Sequence, residues 1–129
     1  MSYVPAALRK QLIDRAESRC EYCKYPQAVS FFTFEMEHII AEKHDGLITI
    51  DNLALACPWC NEFKGTDLGS IDSLTRQLTP FFHPRLQQWS DHFRFSDDRI
   101  IALTAEGRVT EKILQFNQPD RILERSILM

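Results

Sequence analysis

The chain has 129 residues, 15 basic and 18 acidic side chains, a net charge of −3 and 44% hydrophobic content, enough apolar material for one core and too little length for two ordinary domains. No apolar run approaches the roughly 20 residues of a membrane span, and no linker, internal repeat or low-complexity tract interrupts the sequence. The acidic balance excludes a protein that holds duplex DNA by bulk charge.

Residues 5–18 place Leu8, Leu12 and Ala16 at i, i+4 and i+8, with Pro5 near the first turn, which predicts an amphipathic helix. Arg15 and Arg19, one turn apart, read as solvated charges. The helix runs into Cys20-Glu21-Tyr22-Cys23. After a loop containing Pro26, the β-branched and aromatic residues of 29–40 predict a strand, with Glu37 and His38 at its far end. Residues 41–51 carry Asp45-Gly46 and little periodicity, so they predict a surface loop or hairpin connection. A short apolar strand is expected over 53–56. Cys57-Pro58-Trp59-Cys60 follows, and a helix is expected over 61–65, closed by Gly65. Beyond it the pattern predicts a helix over 84–92, strands over 93–95 and 100–104, a turn at Gly107, and helices over 111–116 and 121–128 separated at Pro119.

The four cysteines form two C-x2-C knuckles. Two such pairs can close a tetrahedral four-sulfur Zn²⁺ site that leaves no open position for catalysis, so Cys20, Cys23, Cys57 and Cys60 are expected to hold a structural zinc while other residues react. The 33 residues between Cys23 and Cys57 (24–56) exceed the usual ribbon interval of about 15–20 and imply inserted structure. A disulfide framework is the alternative, suited to an oxidising compartment. The opening MSYVPAALRK has no apolar run of the kind a secretion signal needs, which favours metal and a cytoplasmic location. Four thiolates and one Zn²⁺ carry −2, taking the net charge from −3 to about −5. Trp59, inside the second knuckle, is expected to cover the sulfurs. His83 and His92 lack ligand-like spacing and are expected in packing or at the surface.

Glu37-His38, Asp51-Asn52-Leu53 and the run from Cys57 through Asn61 and Lys64 to Gly65 resemble the three signature segments of the HNH endonucleases, in the four-cysteine, zinc-stapled branch. The later stretches PFFHPRLQQWSDHF and LTAEGRVTEKILQFN resemble the extension of small bacterial HNH proteins. The resemblance implies an α+β fold: a ββα-metal, treble-clef-like finger with structural zinc and a C-terminal α/β extension. One domain is expected over 1–129, with its core at about 19–65, the N-terminal helix at 5–18 and the extension at 66–129.

By the same resemblance, His38 is the general base, an imidazole that titrates near working pH and can take a proton from water. Glu37 and Asn61 offer hard oxygen donors for a catalytic Mg²⁺ or Mn²⁺. Adjacent residues on an ideal strand point to opposite faces, so Glu37 and His38 share one site only if the strand ends, twists or bulges there. Asn52 pins the loop against the strand and so orients the histidine. Asn61 stands where a second histidine gives the family its name. Lys64, which follows Asn61 by three on a helix, is a candidate nucleic-acid contact. His44, in the loop between the motif segments, is either a contact to a phosphate or the ion or a solvated loop histidine, the second being favoured.

The implied activity is hydrolysis of DNA, one strand per active site, leaving a 5′-phosphate and a 3′-hydroxyl, with RNA left open as a substrate. Double-strand breaks would need a homodimer, a partner or a second encounter. A non-catalytic zinc-stapled binding module is the reading of a different class, but such a module has no need to keep His38, Asn52 and Asn61 together.

Overall fold

The computed structural model describes residues 4–30 and 32–128. In chain order these form α1 (Ala6–Arg15), β1 (Glu35–His38), β2 (Leu53–Ala56), α2 (Pro58–Lys64), β3 (Gly69–Ile71), β4 (Leu78–Pro80), α3 (Trp89–His92), β5 (Phe93–Ser96), β6 (Arg99–Ala102), α4 (Ala105–Ile113) and α5 (Pro119–Leu128). The strands make three two-stranded antiparallel sheets: β1 with β2, β3 with β4, and β5 with β6. This is the expected mixture of helices and small sheets, and β1, β2 and α2 are the ββα finger.

The strand expected over 29–40 is shorter. Only Glu35–His38 finds a ladder, because β2 supplies four partners, from Glu35 opposite Ala56 to His38 opposite Leu53. Gln27–Val29 is instead a 3-10 turn, and Phe31 lies outside the described residues. β-Propensity without a neighbouring strand does not make a strand.

Helix α2 begins three residues earlier than expected, because Cys57 acts as its N-cap. The Cys57 sulfur accepts a hydrogen bond from the Cys60 amide at 3.4 Å, and Pro58 occupies the first turn, where a missing N–H costs nothing. Gly65, at φ 53°, ends the helix as expected.

In the second half, the β3–β4 hairpin was not foreseen. Of the expected helix 84–92 only Trp89–His92 is helical. His83 Nδ1 accepts from the amides of Arg85 and Leu86 at 3.2 and 3.3 Å, a local side-chain turn that competes with helix. Gly107 is not a turn residue either; it lies in the first turn of α4, capped by Thr104, whose Oγ1 accepts from the Gly107 amide at 3.0 Å. A Cβ there would stand 2.5 Å from the His92 carbonyl oxygen, so the glycine permits close approach of α4 to the chain beneath. The last helix includes Pro119 at its start.

One apolar cluster runs through both halves and includes all four cysteines, Phe34 and Leu55 of the finger, and Phe93 and Phe116 of the extension. The Trp89 indole N–H donates to the Tyr22 carbonyl at 2.7 Å, which seats the β5–β6 hairpin against the first knuckle. Trp59 is half-buried against this cluster and meets Phe32 edge-on at 6.3 Å. Among the described residues no helix is long and apolar enough to cross a membrane.

Candidate metal centre and active-site groove

The four cysteine sulfurs are fully buried and lie within 4.8 Å of one another. Sulfurs 2.3 Å from a tetrahedral zinc would be separated by about 3.8 Å, and Cys23 Sγ stands 3.7 Å from Cys57 Sγ, well beyond the roughly 2.05 Å of a disulfide. The first knuckle repeats the turn of the second, with the Cys23 amide donating to Cys20 Sγ at 3.4 Å. The donor set fits a structural zinc and leaves no ligand position over.

Arg121 approaches this cluster from α5. Its Nη2 donates to Cys60 Sγ at 3.2 Å and Cys57 Sγ at 3.5 Å, and its Nη1 donates to the Leu114 and Gln115 carbonyls. Burial disfavours the guanidinium charge, but Cys60, Cys23 and Cys57 more than offset it and hold the group fully protonated. With zinc bound, a cationic donor on these two sulfurs would balance part of the −2 carried by four thiolates and one Zn²⁺.

A groove of about 840 Å³ opens beside the finger, lined by β1, by residues 41–43, by the N-terminal part of α1 and by Asn61 of α2. His38 is one of its lining residues. Its Nε2 is buried without a hydrogen-bond partner among the described residues; the nearest carboxylate, Glu42 Oε1, stands 3.8 Å away, too far for a hydrogen bond. Asn52 fixes the chain immediately after His38. Its Oδ1 accepts from the Ile40 amide, its Nδ2 donates to the Ile40 and Leu47 carbonyls, all at 2.9 Å, and its backbone carbonyl accepts from Ile39 at 2.8 Å. The loop it closes depends on Gly46, where a Cβ would fall 1.7 Å from the Ile40 carbonyl oxygen.

Glu37 also lines the groove but is buried at 6% exposure, and its neighbour is Lys64, buried at 2%, with Nζ 2.9 Å from Oε1. Lys64 Nζ donates as well to the carbonyls of Ile39 at 3.0 Å and His38 at 3.3 Å. Neither Glu37 oxygen makes a hydrogen bond of ordinary geometry among the described residues, so the pair is a charge contact. Burial pushes the Glu37 carboxyl up to about 7, against the pull of Lys64. The phenol of Tyr22 is buried beside it and pushed up, first by burial and then by the Glu37 charge.

These placements correct two expectations. Lys64 does not face outward with Asn61; its ammonium turns inward to Glu37 and the end of β1, which removes it from direct contact with a phosphate. Arg15 is more than a solvated charge: although exposed, its guanidinium donates to the Ile50 and Leu53 carbonyls at 2.8 and 2.7 Å and thereby ties α1 to β2. His44 is exposed in the Glu42–His44 turn and is not among the residues that line the groove. His92 and His83 serve packing and local turns, His92 through a 2.6 Å bond to Thr104.

Sequence reasoning missed Glu21. Buried between two cysteines, it accepts from the Leu55 amide at 2.7 Å and pairs with Arg85. A carboxylate inside a knuckle beside β2 was the available signal, but its partner lies in the extension, beyond any local pattern. Apart from the cysteines, no group of three or more His, Cys, Asp or Glu side chains closes on a common point among the described residues.

Residues 20–67 match the family model of the HNH endonucleases. This segment is an HNH domain. It contains both knuckles, β1, β2, α2 and the groove residues Glu37, His38, Asn52 and Asn61. Over 124 residues the chain is 23% identical to the Septu protein PtuB of Bacillus thuringiensis, a match covering 95% of this chain and 46% of that protein. The chain thus spans about half the length of the curated relative it matches. No solved structure matches it significantly.

Proposed function

We propose that the HNH domain is a metal-dependent endonuclease that hydrolyses phosphodiester bonds in DNA, leaving a 5′-phosphate and a 3′-hydroxyl. The observation that carries this reading is the unpartnered, buried Nε2 of His38 in the same groove as Asn61. His38 Nε2 takes the proton of the attacking water, a role that suits imidazole near neutral pH. Asn52 and Lys64 hold the backbone around His38, so the imidazole is positioned before substrate arrives.

The groove fits a divalent ion of the Mg²⁺ or Mn²⁺ type. Glu37 supplies a carboxylate whose oxygens lack hydrogen bonds, Asn61 supplies an amide oxygen, and such ions accept one or two protein oxygens with the rest from water and phosphate. When bound, the ion would relieve charge on the scissile phosphate and on the departing 3′ oxygen. Lys64 keeps the Glu37 carboxylate in place in the interior and would share it with that ion.

One groove with one such histidine acts on one strand at a time, so a double-strand break calls for two sites, from a homodimer or a second encounter. The test is incubation of purified, zinc-containing protein with supercoiled plasmid, with and without Mg²⁺ or Mn²⁺, and in parallel with RNA. Nicked circles that require the ion are the expected product. Inertness of a folded, zinc-loaded protein toward every nucleic acid and ion tried sinks the reading and leaves a zinc-stapled binding module.

A further inference from the structure

The net charge of −3 leaves open how a phosphodiester backbone is held, and the surroundings of the 15 basic side chains supply an answer. Lys64, Arg85 and Arg108 are paired with the buried carboxylates of Glu37, Glu21 and Asp72. Arg121 and Arg125 are turned inward onto sulfurs and carbonyls. Two basic residues line the groove that holds His38: Arg9 of α1 and Lys43 of the turn after β1. Among the described residues neither makes an ion pair, whereas Lys10, next to Arg9, is paired with Asp14.

Both are carried on anchored backbone. Helix α1 is tied to β2 through Arg15, and the turn carrying Lys43 is closed by the Gly46 amide on the Ala41 carbonyl at 3.0 Å and by Asn52 on Leu47. Arg9 and Lys43 share the groove lining with the carboxylates of Glu35 and Glu42, while Glu37 is offset by Lys64. The lining is therefore close to neutral, and two basic side chains supplement a divalent ion without replacing it.

We propose that Arg9 and Lys43 are the phosphate-gripping residues of this groove, contacting the nucleic-acid backbone and setting the strand across His38 without reading its sequence. The proposal rests on the endonuclease reading, and it assigns to Arg9 and Lys43 the role that burial denies to Lys64.

The test is fluorescence anisotropy of labelled duplex DNA of two unrelated sequences, and of RNA of one of them, titrated with the zinc-loaded 129-residue His38→Ala protein in Mg²⁺ over a range of salt. Arg9→Ala and Lys43→Ala, added singly to that background, are each expected to reduce the slope of log K against log salt by about 1. Affinity should fall by the same factor on both DNA sequences. Lys112→Ala, on the exposed side of α4, should leave the slope unchanged. An unchanged slope in both groove variants overturns the proposal, as does a parent protein that binds neither DNA nor RNA. Equal losses on RNA and DNA identify the shared backbone as the ligand, and losses on DNA alone identify duplex DNA. Plasmid nicking by the wild type is scored separately: binding with the expected slopes but no cutting removes the endonuclease reading and keeps the grip.

Discussion

Lys64 Nζ lies 2.9 Å from Glu37 Oε1, with the two side chains 2% and 6% exposed. The same ammonium donates to the carbonyls of His38 and Ile39, so one buried cation from α2 fixes both the acid and the backbone of the histidine beside it. The alternation of strand side chains, which points Glu37 inward from His38, is what makes a buried partner necessary.

Lys64→Met should therefore cost about 3–5 kcal/mol, because it strands a buried carboxylate. Adding Glu37→Gln removes the stranded charge, and the double variant should be more stable than the sum of the single losses predicts. Urea unfolding of the four proteins, loaded with zinc, measures the coupling. Strict additivity would show that the pair has no energetic link.

The same pair predicts a pH dependence. The folded protein holds the Glu37 proton to about pH 7, whereas an unfolded chain releases it near pH 4.3. Between those values the folded state binds the extra proton, so this group's contribution to stability falls as pH rises through the window. The loss amounts to roughly 3–4 kcal/mol at most for a shift of this size. Glu37→Gln should flatten that part of the stability curve in protein without added Mg²⁺ or Mn²⁺. Parallel curves for variant and wild type between pH 5 and 8 contradict it.

His38→Ala should lower nicking by at least about 10²-fold, the low end for a positioned general base, with zinc content and unfolding midpoint unchanged. Asn61→Ala should also slow nicking but recover as Mg²⁺ or Mn²⁺ is raised, since a weakened ligand set is refilled by mass action and a missing base is not. Wild-type rates in His38→Ala would move the chemistry elsewhere.

Gly46→Ala tests the loop that Asn52 closes. A methyl group 1.7 Å from the Ile40 carbonyl oxygen and 2.9 Å from Asn52 Nδ2 cannot be accommodated without moving the chain that follows His38. The variant should lose about 1–3 kcal/mol of stability and most of its nicking activity, while keeping its zinc. Equal activity would show that the loop does not position the histidine.

Arg121→Met removes the donor to two sulfurs. Loss of such a supporting contact typically weakens metal binding about 10- to 100-fold, so zinc should pass faster to a competing chelator, read by a colorimetric zinc indicator. An unchanged transfer rate contradicts the electrostatic role given to Arg121.

Much of the finger was legible in sequence because its instructions are local. The knuckles, the apolar strand over 53–56 and the helix-ending Gly65 each declare themselves within a few residues, and the asparagine closing the loop follows from Asn52 in its motif. The facing of Lys64 was misread because helical spacing relates it to Asn61, whereas the nearby end of β1 decides where an ammonium goes. The Glu21–Arg85 and Arg121–cysteine contacts join residues far apart in sequence and carry no periodic signal. The extension was least legible, since short hairpins and a side-chain turn at His83 set its course.

The sulfurs that would hold the zinc are complete at Cys60, but the guanidinium that balances them comes from Arg121, 61 residues later. A ribosome therefore delivers the ligand set well before its counter-charge. A nascent chain that has emerged only through the finger would face the ion with its negative charge unbalanced and its knuckles uncovered by Trp89, so full retention of the metal would be gained only once α5 has been made and docks.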